Sequence, residues 1–282
     1  MLTDHKRRIS YIIVCATPFV ATISTAAHPL RIRGLYHVIG GVLFATISIA
    51  VWILGARAIS ADVQSRRLLA LAGTFLVAPF TIVALLWVGI GPPWVATAAE
   101  NQMRYLVLIV MGTAVAIGCV VLREALGEAG ERFYSTLGFA ASILAGPLYV
   151  TWNTFVFGAY FAKEHEGQIP PAFLSLQIGL DVLLFLACVL TYVATAAFAA
   201  SLGRIGWLGR KATLAYLILN FLALFFIVIS LIQYPDPAAP SAAWYVMPGV
   251  ILHVPAVPLI MPALLGAVLL RRAGDEQHWS AA

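Results

Sequence analysis

Asp181 stands inside an apolar run from about residue 172 to 200. An ionisable group within such a run is expensive in lipid and marks a substrate or ion pathway, a proton relay or a buried pair. Counting from Phe173 at 1.5 Å per residue places Asp181 roughly 12 Å below the outer end of the run. Helical spacing sets Gln177, Asp181, Cys188, Tyr192 and Thr195 on one stripe, which should face protein or water. Asn153 lies at a similar depth in the preceding run, with Tyr149 one turn away and Tyr160 two turns away on its face. His253 falls among Pro248, Pro255, Pro258 and Pro262, and a proline series frees backbone carbonyls where a helix lines a cavity. His28 and His37 flank the connection between the first two runs, and Glu100 with Arg104 has the i, i+4 spacing of a helical ion pair.

These residues suit a path for a small solute or ion, with Asp181, Asn153, His253, His37, Gln177 and Tyr149 along it and Glu100–Arg104 as an outer pair. The alternative assignment of Asp181 is structural, paired with Arg104 or His253. A metal centre would draw on His28, His37 and His253, but isolated histidines lack ligand spacing, so no metal and no cofactor is expected. Cys15, Cys119 and Cys188 are far apart in apolar runs, without a CxxC, and read as small hydrophobes.

The elements that must hold these groups follow from composition. The chain has 282 residues, 62% hydrophobic and 10% charged, and soluble domains are nearer half apolar and a quarter charged. Runs at about 9–27, 35–55, 68–90, 105–122, 134–162, 172–200, 213–232 and 248–270 approach or exceed the ~20 residues of a spanning helix. Short alternating barrel strands are absent from the sequence. The expectation is an all-α integral membrane protein, a single bundle of about eight transmembrane helices with no soluble domain. His5–Arg8 followed by the first run and Thr25–Ala26–Ala27 resembles a secretory signal, yet the run is long enough to serve as an anchor.

Orientation comes from Lys and Arg. With the N-terminus inside, the inner segments carry Lys6, Arg7, Arg8, Arg57, Arg66, Arg67, Arg123, Arg132, Arg204, Arg210, Lys211, Arg271 and Arg272. The outer segments carry only Arg31, Arg33, Arg104 and Lys163. Both termini are therefore expected in the cytoplasm, in a multi-pass bacterial inner-membrane protein. The net charge of +5 is spread among short connections, which argues against nucleic-acid binding. Trp94 and Trp244 would anchor the outer interface, and Trp52 and Trp207 the inner one. The charged stretch Arg123–Arg132 reads as a solvated loop. Gly40–Gly41 and Ala196 with Ala200 would permit close helix contacts.

Leu208–Tyr216, Leu-Gly-Arg-Lys-Ala-Thr-Leu-Ala-Tyr, resembles the opening of a span in some multi-span acyltransferase-like membrane proteins. It covers under a tenth of the chain, and the amino-terminal Arg and Asp features and the catalytic His of those proteins have no match. The resemblance therefore implies no activity. HExxH, GxSxG and GxxxxGK[ST] motifs are absent from the sequence, and no lysine sits inside a late run to carry retinal.

The reading that follows is a small-solute or ion permease, or a proton-coupled carrier, in contact with the bilayer and not established as an enzyme. The alternatives are a non-catalytic subunit or assembly factor bound to membrane-protein partners or to its own copies, and a metal- or haem-dependent enzyme facing the outer compartment.

Overall fold

In the computed structural model the described residues are 2–26, 33–91, 93, 96–233 and 257–275. They form an all-helical bundle: α1 (Leu2–Ala26), α2 (Arg33–Leu54), α3 (Gln64–Ile90), α4 (Ala98–Glu128), α5 (Phe133–Glu166), α6 (Pro171–Arg204), α7 (Arg210–Gln233) and α8 (Ile260–Ala273). Short 3₁₀ turns at Ala56–Ser60 and Val257–Leu259 precede α3 and α8.

Among the described residues, six helices, α2 to α7, are long and apolar enough to cross a membrane, which fits a multi-pass membrane protein. The first two turns of α1 are charged, and the described part of α8 has 14 residues, short of the ~20 that a span needs. His28, His253, Trp94 and Trp244 lie outside the described residues.

Consecutive helices pack side by side from α3 through α6, and α8 returns to lie against α3 and α1. α3 is the most enclosed of the six span-like helices, and α7, which packs mainly on α6, is the least. The α3–α8 contact needs glycine: a Cβ on Gly73 would lie 2.9 Å from the Gly266 carbonyl oxygen, and one on Gly266 2.8 Å from that of Gly73. Close approach of this kind is how helices associate where lipid removes the hydrophobic incentive. Gly41 does not act in this way, since a Cβ there would meet nothing within 4 Å.

One end of the bundle gathers the basic residues. Arg7 donates to the Arg271 carbonyl at 2.7 Å, and Arg66 donates through Nε to the Ala273 carbonyl at 2.8 Å. Two guanidinium groups thus occupy the negative end of α8, where unsatisfied carbonyls and the helix dipole favour cations. Arg272 lies over the Trp207 ring at 4.8 Å, and Gln64 donates to Glu128 at 2.7 Å. The starts of α1 and α3, the end of α4, the α6–α7 turn and the end of α8 therefore share one end.

The stretch Arg123–Arg132 is not a loop through most of its length. α4 continues to Glu128, Gly130 turns the chain at φ 84°, and Glu131 is buried. Its carboxylate accepts from the Tyr134 and Ser135 amides, each at 3.0 Å, and from the Ser201 hydroxyl of α6. A charged run conceals this role because two of its oxygens cap α5 from within the turn.

Candidate functional site

The Ala98 end of α4 is fixed by its own polar residues. Thr97 and Glu100 form a reciprocal cap, with the Thr97 amide donating to Glu100 Oε2 at 2.7 Å and the Glu100 amide to Thr97 Oγ1 at 3.2 Å. Arg104, 1% exposed, donates to Asn101 Oδ1 at 2.6 Å and to the Gly91 carbonyl. Asn101 in turn donates to the Pro93 carbonyl at 2.9 Å. The two members of the expected Glu100–Arg104 pair thus hold the connection between α3 and α4, with the Glu100 charge acting on Arg104 from one turn away.

One turn further in, aromatic rings join α4 to α5. Tyr105 meets Trp152 edge-on at 5.8 Å and stacks on Tyr160 at 5.6 Å, and the Trp152 indole N–H donates to Asp181 Oδ1 at 3.3 Å. Asp181 is half-buried in α6, ten residues from its start. Trp152 was not among the site residues read from the sequence, though a mid-span indole N–H has to find an acceptor.

Asn153 is wholly buried, and its Nδ2 donates to the Tyr149 carbonyl at 2.7 Å. That bond fixes the amide orientation, since the reverse would set two oxygens face to face. Oδ1 is buried without a hydrogen-bond partner. The Tyr149 ring below it presses on α4 at Gly112, where a Cβ would fall 2.5 Å from the ring.

Under Tyr149 lies a cavity of about 40 Å³. α4 contributes Gly112 and Cys119 to its wall, α5 Ser142 and Tyr149, and α6 Cys188, Thr191 and Thr195, and Pro258 and Pro262 also line it. Below the cavity, Thr195 donates to Asn220 Oδ1 of α7 at 2.6 Å. Polar atoms thus follow one another along α6 from Asp181 to Thr195, about 21 Å at the helical rise.

Asp181, Asn153 and Tyr149 therefore belong to one seam between α4, α5 and α6. Gln177 does not join it: from Pro171 to Gly179 no side chain of α6 is buried, so the amino-terminal end of the stripe is uncovered. His37 is exposed on α2, whose main partners are α1, α3 and α8, and so it sits apart from the seam. Among the described residues no group of three or more His, Cys, Asp or Glu side chains could hold a metal ion. No protein-family model, no curated protein and no solved structure matches the chain.

Proposed function

We propose that this protein is a small-solute or ion permease, or a proton-coupled carrier, whose path follows the α4–α5–α6 seam. The observation that carries the reading is the succession of Asp181, Asn153, Tyr149 and the cavity hydroxyls through otherwise apolar helices. Polar groups at such depth are costly unless they line a route or hold helices together. In this reading Asp181 is the titrating or coordinating group, and the indole of Trp152 positions its carboxylate. The protein has eight spans and both termini in the cytoplasm of a bacterial cell, an orientation supported by the basic residues at one end of the bundle.

Flux measured in proteoliposomes tests the reading. Asp181→Asn removes the charge and keeps the shape, and uptake should fall at least ~10-fold, about 1.4 kcal/mol in the barrier. Uptake indifferent to that change would sink it. The Thr195–Asn220 bond favours a second reading, a non-catalytic subunit of a membrane complex with its polar residues as interhelical glue. In that case Asp181→Asn lowers stability alone, and the protein co-purifies with partners.

A further inference from the structure

The turn between α6 and α7 is tightly built and strongly basic. Gly206 bends the chain at φ 71°, the Trp207 amide donates back to the Leu202 carbonyl at 2.8 Å, and a Cβ on Gly203 would fall 2.5 Å from Thr213 Oγ1. Arg204 at the end of α6 and Arg210 and Lys211 at the start of α7 are all exposed, and Arg272 of α8 lies over the Trp207 ring at 4.8 Å. In the sequence no acidic residue occurs between Asp181 and Asp236. Among the described residues Arg210 and Lys211 form no ion pair. Glu131, which reaches Ser201 one turn before Arg204, has both oxygens engaged by that hydroxyl and by the Tyr134 and Ser135 amides. Arg210 and Lys211 also oppose α7 itself, because the first turn is the positive end of the helix dipole and holds no acid here.

An anion at the turn relieves both conflicts. Directly beyond it, α7 turns an apolar stripe outward: Leu214, Ile218, Leu222 and Phe225 follow Lys211 at helical spacing and all four are exposed. From Lys211 to Phe225 the stripe runs roughly 21 Å at the helical rise, longer than the ~15 Å of one leaflet of hydrocarbon. Charge at one end and lipid-length apolar surface below it match the two parts of one molecule. We propose that the α6–α7 turn holds an anionic phospholipid, its phosphate at Arg210 and Lys211 and an acyl chain along the α7 stripe. Arg204 and Arg272 add to the positive field, and the chain covers the least enclosed of the span-like helices. The proposal needs α7 to cross the membrane and is independent of the carrier and subunit readings.

The full-length protein in uncharged detergent is heated with rising mole fractions of phosphatidylglycerol or phosphatidylcholine, and native mass spectrometry counts the lipids retained. Phosphatidylglycerol should raise the Tm saturably, with one molecule kept per chain, and phosphatidylcholine should not. Arg210→Gln with Lys211→Gln should weaken the apparent affinity roughly 30-fold, the loss expected for two cations at a membrane surface. The charge-conserving pair Arg210→Lys with Lys211→Arg should retain it. Lys6→Gln with Arg8→Gln removes the same charge from the exposed start of α1 and should leave the affinity nearly unchanged. Equal stabilisation by phosphatidylcholine overturns the proposal, as does equal loss in the two glutamine pairs, which would mean diffuse charge attraction. Glycerol phosphate matching the lipid would identify a phosphate site without a chain, and polyglutamate matching it would identify an acidic protein partner; either result also overturns it.

Discussion

At the scale of single residues, Gly112 and Glu131 give the sharpest expectations. Gly112 admits the Tyr149 ring, so Gly112→Ala forces the ring or α4 aside and should cost ~1–3 kcal/mol of unfolding free energy in detergent. The double variant with Tyr149→Ala should recover part of that loss, because the clash partner is gone. Burial alone would push the Glu131 carboxyl up, but the Ser201 hydroxyl and the Tyr134, Ser135 and Phe133 amides outweigh it and hold the group below the usual carboxylate range. A depressed folded-state value makes the contribution complete above the unfolded value of ~4.3. It is lost as pH falls through the folded value. Glu131→Gln should therefore lower stability near neutral pH by ~1–2 kcal/mol and leave it almost unchanged in strong acid, as read from unfolding midpoints across a pH series.

At the scale of elements, hydropathy locates the part of a helix that lies in lipid, whereas hydrogen bonding decides where the helix ends. The apolar run 105–122 lies within α4 at Ala98–Glu128, and 172–200 within α6 at Pro171–Arg204. The flanking charged turns carry no hydrophobic signal and are helical all the same. Asp181, Asn153 and Tyr149 could be singled out because lipid makes polar groups conspicuous. Trp152, Ser142 and Thr191 could not, since their roles depend on which helix stands opposite. Glu131 was hidden for the same reason, its partner Ser201 lying 70 residues away. Arg104 belongs here too: it ties Gly91 and Asn101 together across the α3–α4 connection. Arg104→Met should free that connection, raising its protease cleavage rate or amide exchange by roughly tenfold for each 1.4 kcal/mol lost, while α5–α6 exchange stays unchanged.

At the scale of the whole molecule, charge and packing describe the same polarity. The basic connections read from the sequence meet at one end, where Arg7 and Arg66 reach the last carbonyls of α8. Cysteines introduced beside residues 6 and 275 should react with a membrane-impermeant reagent from the same side of sealed vesicles, and reaction from opposite sides would refute an even number of spans. Arg7→Gln and Arg66→Gln should each loosen the end of α8 by ~0.3–1 kcal/mol and add almost independently, because each serves a different carbonyl. The Arg7–Arg271 bond joins residues 264 positions apart. During synthesis the groove on α3 that receives Gly266 must wait, open, until α8 has emerged, so α3 is completed only after α4 to α7 have been made. Nascent chains halted before α8 should carry an α3 as sensitive to cross-linking by lipid probes as α7 is in the finished protein.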